Sequence, residues 1–247
     1  MYFSERHQKI VSILHEKKSA SVHYLAAALH VSEPTVRRDL TYLEEKSFIH
    51  RTFGGAVISQ LTTTEIPFQL REHTNSEAKE IIAKKACKHI ANDMVIFIDS
   101  SSTASKILKH LTNYSGLTVI TNSPQCSLKL AELGIRSFCT GGYMKDDSYT
   151  YVGPYAEYFL RNFNADILFL SSRGVSEDGI LSHSSVEESN MRRVMIQQSK
   201  KRVLLCTSDK IGLSYMCNIC TLGEIDDIVT EGDTPDYLKK HLRTKVK

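Results

Sequence analysis

Two groups of residues in this 247-residue chain have types and spacings suited to chemistry. The first is Ser32, Pro34, Thr35, Arg37, Arg38 and Thr41, a cationic and hydroxyl-bearing set. Guanidinium groups pair with guanine edges and phosphate oxygens, and hydroxyls bond to phosphates, so this set on one helix face suits a DNA duplex. The second group is five short polar stretches, 99–103, 121–123, 140–142, 171–174 and 207–210, each following an apolar run. Hydroxyls and free amides at a helix start suit a phosphate, and Asp99 is placed to accept from sugar hydroxyls. Arg173 and Lys210 add positive charge, so the group as a whole suits an anionic polar ligand. A solvated charged face or an ordinary helix cap explains any one of these residues alone; their combination carries the reading.

The first group needs a helix to hold it. Ser32 is placed to accept from a first-turn amide, and Pro34 is tolerated in that turn because its missing N–H has no intrahelical partner there. Val36, Leu40 and Leu43 recur at helical spacing as one inward stripe. Pro34, Arg37, Arg38, Thr41 and Tyr42 fall on or beside the opposite face. Upstream, Ser21 caps a short helix with Val22, Leu25, Ala26 and Leu29 inward, and His30-Val31 turns into Ser32. An earlier helix over 4–17 presents Phe3, His7, Ile10, Ile13 and Leu14. Three short helices, the last two joined by a tight turn, predict a helix-turn-helix. Residues 48–53 and 56–58 flank Gly54-Gly55 and predict a β-hairpin wing, closed by positive φ at the glycines. Arg51, Gly54 and Gly55 are its candidate DNA contacts.

The second group needs a sheet. Residues 59–75 read as a joint: SQLTTTE is polar and turn-prone, and Ile66-Pro67-Phe68 suits an extended piece that docks its aromatic on a neighbour. From Ser76 a helix carries Ile81, Ile82, Cys87 and Ile90. Apolar runs at 94–98, 117–120, 167–170, 203–206 and 228–229, with a further candidate at 135–139, alternate with helical patterns at 103–111, 124–133, 155–163, 186–199 and 235–242. Strands without polar alternation, interleaved with helices, predict a mainly parallel α/β sheet covered on both faces. Ligands of such sheets sit beyond the carboxyl ends of the strands. The polar stretches then share one rim, with Asp99, Ser102, Thr103, Thr121, Asn122, Gly141, Arg173 and Lys210 as candidate ligand contacts.

Charge and length bound the partners. The chain is long enough for two domains with separate cores. Its net charge is +3; residues 1–58 hold eight Lys/Arg against six Asp/Glu and half of the ten histidines. So modest an excess suits a sequence reader better than a non-specific nucleic-acid coat. No apolar run approaches the roughly 20 residues that span a membrane, and the N-terminus lacks a signal peptide's apolar core, so a cytoplasmic location with six reduced cysteines is expected. Cys217-Asn-Ile-Cys220 offers only two ligands and no second pair follows, so neither a metal nor a cofactor is expected.

The motif V-S-x-x-T-[IV]-R-R-D-L-x-x-L-E, then R-x-x-G-G-A, is met here by Val31, Ser32, Thr35, Val36, Arg37, Arg38, Asp39, Leu40, Leu43 and Glu44, then Arg51, Gly54, Gly55 and Ala56. It resembles the DeoR-type family of bacterial regulators. Ser47 stands where that pattern has glycine, and Phe53 where it has histidine. The resemblance covers essentially the whole chain, through Arg71, Lys79, Asp99, Thr103, Thr121, Asn122, Gly141, Gly142, Gly153, Asp166, Phe169, Gly174, Glu188, Arg193, Met195 and Lys210. It implies a C-terminal domain resembling sugar-phosphate isomerases turned into a sensor. Asp99, Ser102, Thr103 and Lys210 would hold an effector's phosphate and hydroxyls, with Glu188 and Arg192 at the rim or a dimer contact. Ser101 and Ser171 replace family glycines, Arg192 a lysine and Thr207 an aspartate.

The expected organisation is a winged helix-turn-helix over 1–58, a linker over 59–75 and a sensing and oligomerisation domain over 76–247. The expected function is a repressor of a carbohydrate-metabolism operon, acting as a homodimer or homotetramer on double-stranded operator DNA, away from membranes, and released by a phosphorylated sugar. The competing reading is an isomerase-like enzyme with a DNA-binding arm, for which Asp99, Glu188 and Lys210 offer a base and an electrophile. The same groups are needed merely to hold a polyol phosphate, so no catalytic residue is assigned.

Overall fold

The stripe of Val36, Leu40 and Leu43 is buried in the computed structural model, which describes residues 5–45, 48–58, 68–145 and 148–243. Two units separate, Met1–Ser76 and Glu77–Lys247. In the first, α1 (Glu5–Lys17), α2 (Val22–Leu29) and α3 (Glu33–Glu45) close on a core of Ile10, Val11, Leu14, Val22, Leu25, Val36, Leu40 and Leu43. Ser21 caps α2, its hydroxyl accepting from the Tyr24 amide at 3.1 Å. His30 ends the helix in the left-handed region at φ 53°, which makes the tight turn. Ser32 departs from expectation: its carbonyl accepts from the Thr35 and Val36 amides, while its hydroxyl bonds to the Thr35 hydroxyl at 2.9 Å.

The wing is a three-stranded sheet rather than a lone hairpin. β1 (Ser19–Ser21) pairs with β3 (Gly55–Ile58), which pairs with β2 (Ile49–Thr52). Thr52 faces Gly55 across the ladder, so Phe53 and Gly54 form the turn. Neither Gly54 nor Gly55 has a positive φ, contrary to expectation. Gly55 is needed for another reason: a Cβ there would lie 2.1 Å from the Ala20 carbonyl oxygen of β1. Within the expected joint, Phe68 opens α4 (Phe68–His73) and is buried, and Leu70 joins the helical core. Ser47, Ile66 and Pro67 lie outside the described residues.

The second unit is built on a six-stranded parallel sheet. Its strands are β4 (Val95–Ile98), β5 (Thr118–Thr121), β6 (Arg136–Cys139), β9 (Ala165–Leu170), β12 (Ser199–Leu205) and β14 (Asp227–Val229). Their order is β14-β12-β9-β4-β5-β6. Alternate side chains serve opposite cores, which is why these strands read as continuous apolar runs. Ile96, Ile98, Val119, Ile167, Phe169, Val203 and Leu205 pack with α5 (Ser76–Ala86), a 3₁₀ helix over Ala104–Asn113 and α6 (Pro124–Glu132). Phe97, Ile120, Leu168, Leu170 and Leu204 pack with α7 (Pro154–Leu160) and α8 (Val186–Gln197) on the other side. On α5, Ile82 is buried and Ile81 faces solvent.

Two antiparallel additions went unforeseen: the hairpin of β7 (Tyr143–Lys145) with β8 (Thr150–Val152), and a sheet of β10 (Gly174–Val175), β11 (Ile180–His183) and β13 (Cys217–Thr221). A short α9 (Asp236–Lys239) stands where a longer helix was expected.

Candidate nucleic-acid interface and effector site

On α3 the outward face is as its spacing requires. Ser32, Pro34, Arg37 and Arg38 are exposed, and Thr35 and Thr41 are half-buried. Arg38 makes no hydrogen bond or ion pair among the described residues, whereas Arg37 lies 3.5 Å from the Glu33 carboxylate one turn back. Thr41 and Arg51 are already engaged. The Thr41 hydroxyl donates to the Arg37 carbonyl and accepts from the Arg51 guanidinium, both at 2.9 Å. The Arg51 amide donates to Glu44 at 2.8 Å, so β2 is latched to α3.

The inward face hides a feature that residue spacing did not reveal. Asp39, 5% exposed, accepts from the Arg6 Nη2 at 3.0 Å and meets His7 Nε2 at 3.0 Å. Burial pushes its carboxyl up, but the bonds and charges of Arg6 and His7 outweigh that and hold it below the ordinary carboxylate range. Tyr42 stacks on the His7 ring at 4.8 Å. Helix α1 is thereby clamped to α3 by a charge-assisted contact.

In the second unit, β5 and β6 lie to one side of β4, and β9, β12 and β14 to the other. The strand order reverses between β4 and β9, where parallel sheets open a crevice at their carboxyl ends. The adjacent ends of β12, β9, β4, β5 and β6 bring Lys210, Arg173, Asp99, Ser102, Thr103, Thr121, Asn122 and Gly141 to one rim.

Asp99 stands at the reversal, 1% exposed, with both oxygens occupied. One accepts from the Ser101 amide at 3.0 Å and hydroxyl at 2.5 Å. The other accepts from the Ser171 amide at 3.1 Å and Arg192 Nε at 2.9 Å. The Arg192 guanidinium continues to Glu188 at 3.3 Å, and Glu188 has Lys145 at 3.6 Å and His183 at 3.7 Å. Glu188 and Arg192 are therefore buried at the rim. Asp99 braces β4, β9 and α8 together; the Ser101 hydroxyl adds a bond to it that a glycine could not make, while the Ser171 hydroxyl donates to the Leu205 carbonyl at 2.7 Å.

The rest of the rim divides between braces and available groups. Thr121 spends its hydroxyl accepting from the Ser123 amide at 3.1 Å, and Gly141 turns the chain at φ 61°. Arg173 donates to the Ser184 hydroxyl at 2.7 Å and lies over the Tyr215 ring. Lys210 donates to the Ser171 hydroxyl at 3.0 Å, and Lys79 of α5 to the Ser102 hydroxyl at 3.1 Å. Thr103 Oγ1, Asn122 Oδ1 and Ser172 Oγ are buried with no hydrogen-bond partner among the described residues. Buried polar atoms are normally satisfied, so three such atoms at strand ends that also bring in Lys79 and Lys210 suit a polar anionic ligand. The polar strand ends include Ser172 without singling it out, and they leave out Lys79 and Arg192, which only the family pattern marked.

Cys217 and Cys220 flank a register shift in the pairing of β13 with β11, opposite His183 and Leu181. Burial pushes the Cys220 thiol up to about 12. The described residues contain no group of three or more His, Cys, Asp and Glu that could hold a metal, and no helix among them is long and apolar enough to cross a membrane.

Two family models match: a DeoR-like helix-turn-helix domain over residues 6–62 and a DeoR C-terminal sensor domain over residues 74–232. The transcriptional regulator YulB of Bacillus subtilis is 34% identical over 99% of this chain and 95% of its own. The lactose phosphotransferase system repressor of Staphylococcus epidermidis is 31% identical over 96% and 94%. The glycerol-3-phosphate regulon repressor of Escherichia coli is 28% identical over 94% and 92%. Among solved structures, ribose 5-phosphate isomerase A of Methanocaldococcus jannaschii aligns with a TM-score of 0.43 at 19% identity, over 56% of this chain and 55% of that one. The relatives are named as regulators, and the isomerase-like reading gives way. This chain belongs to the DeoR family of helix-turn-helix transcriptional regulators.

Proposed function

We propose that this regulator represses a carbohydrate-metabolism operon and is released from its operator by a phosphorylated sugar. Residues 1–58 serve as the reader, 59–75 as its connection and 76–247 as the sensor. It acts in the cytoplasm as a homodimer or homotetramer, which sets two readers on half-sites about one helical turn apart or a multiple of that. In the reader, Arg38 contacts base edges, and Ser32, Pro34, Thr35, Arg37, Thr41, Arg51, Gly54 and Gly55 line the duplex around it.

The observation that carries the sensor half is the trio of buried, unpartnered oxygens on Thr103, Asn122 and Ser172, at strand ends where Lys79 bonds to Ser102 and Lys210 to Ser171. Lys79, Ser102 and Thr103 take the phosphate; Asn122 Oδ1, an acceptor, takes a sugar hydroxyl. Asp99 holds this cradle in shape. Relatives named for glycerol-3-phosphate and for a lactose phosphotransferase system agree in chemistry. A ligand shifts the DNA-binding equilibrium only by its preference for one arrangement of the oligomer.

Thermal-shift titration of the full chain with a panel of pentose, hexose and triose phosphates tests this, because a ligand bound only by the folded state raises its melting temperature. The active compound is then added to a gel-shift assay with operator DNA. A sugar phosphate that both stabilises the protein and releases DNA supports the proposal. A panel with no stabilising member refutes the sensor half and leaves the DNA half standing.

A further inference from the structure

We propose that Phe53 is an apolar wedge that enters the minor groove of operator DNA beside the duplex face read by α3, and prefers a deformable base step there. The proposal rests on α3 reading the major groove. Phe53 stands at the tip of the wing, in the two-residue turn between β2 and β3. Its relative exposure is 109%, so the ring gains nothing from the rest of its domain. Single exposed aromatics are common on protein surfaces. What distinguishes this one is the framework beneath it.

That framework is tied on three sides. The Val22 amide at the start of α2 donates to the Gly54 carbonyl at 2.8 Å. Gly55 lies so close to the backbone of β1 that no side chain fits. Arg51, two residues before the ring, is bonded to Thr41 and Glu44 of α3. The tip is thus held in a set position relative to α3, and ordering the ring on DNA costs only its own two torsions. Exposed His50 and Arg51 on β2 bring positive or protonatable groups to the same strand, which favours a polyanion over an apolar protein surface.

The chemistry of the ring defines the contact. The family pattern has histidine at this position, which can donate to a phosphate or a base edge. Phenylalanine can do neither. It can stack against an opened base step or pack on deoxyribose, as apolar wedges do in the minor groove, at the cost of unstacking. That cost is lowest at flexible pyrimidine–purine steps such as TA and CA, so the wedge confers a preference at a position where no hydrogen bond is made.

The test uses the full-length protein and duplexes it selects from a random-sequence pool. Wild type is expected to enrich a core read by α3 and a flanking TA or CA step. Phe53→Ala should retain the core, lose the flanking step and bind the wild-type duplex about tenfold more weakly. The slope of log affinity against log salt should not change, since no phosphate contact is lost. A 2-aminopurine at the flanking step should brighten with wild type and stay dark with Phe53→Ala. A fully exposed ring supports no packing, so the variant should melt with wild type. Three results would each overturn the wedge: binding within twofold with the same selected sequence, a salt slope lowered by about one, or weakened self-association that accounts for the lost affinity. Arg38→Ala is the separate control for α3. Loss of the core there confirms the helix, whatever Phe53 does.

Discussion

Asp99→Asn provides the sharpest test of how the sensor domain is held together. Asp99 is buried among four donors and lies 2.9 Å from the equally buried Arg192. An asparagine presents one carbonyl and one NH2 in the same volume. If its carbonyl keeps the amide and hydroxyl of Ser101, its NH2 faces the Ser171 amide and Arg192 Nε; flipped, it faces Ser101 instead. In the first orientation Arg192 and the Ser171 amide meet an opposed donor; in the second the Ser101 amide does, and in both the charge opposite Arg192 is gone. Breaking a buried ion pair by removing one charge costs about 3–5 kcal/mol. Two charge-assisted bonds at about 1.5–3 kcal/mol each give a similar figure. At about 2–4 °C per kcal/mol for a domain of this size, the sensor transition should fall by roughly 6–20 °C in calorimetry of the full chain. The reader, with its separate core, should melt as before. A fall of less than about 3 °C, with effector response abolished, would show that Asp99 touches ligand and does not brace β4, β9 and α8.

Other perturbations probe single links. Asp39 has its folded pKa lowered, so the stability it contributes is present above about pH 4 and lost as pH falls through the folded value; urea midpoints of Asp39→Asn should lose that acid dependence in the reader's transition. Arg38→Ala should leave the fold intact and cost about 1–3 kcal/mol of discrimination at one base pair, read by comparing operator and single-substitution duplexes. Gly55→Ala would force a Cβ to 2.1 Å from a backbone oxygen, and overpacking of about 1–3 kcal/mol or more should lower the reader's melting temperature. Lys210→Ala and Thr103→Val should leave operator binding unchanged and weaken release by the effector, with affinity in titration falling roughly ten- to a hundredfold for the lysine.

Periodicity made much of this molecule legible from residue order alone. Val36, Leu40 and Leu43 define α3 and its outward arginines because helical geometry places every third or fourth side chain on one face. The parallel sheet was equally readable, since strands buried on both faces leave no polar alternation. Knowing the strands also placed the polar strand ends on one rim. Tertiary structure decided how those ends are used. Asp99 carries the residue type of a ligand contact, yet one of its oxygens is filled by Ser171 and Arg192, 72 and 93 residues away, and the other by Ser101. Gly55 looked like a turn glycine, but the approach of β1 is what requires it. Asp39, in the sequence only a motif residue, proved to be a buried anchor for Arg6 and His7, 33 and 32 residues upstream. Local sequence sets φ, ψ and which face turns inward. Whether a polar group is free to meet a ligand depends on which distant donors reach it first, and only the folded chain brings them together.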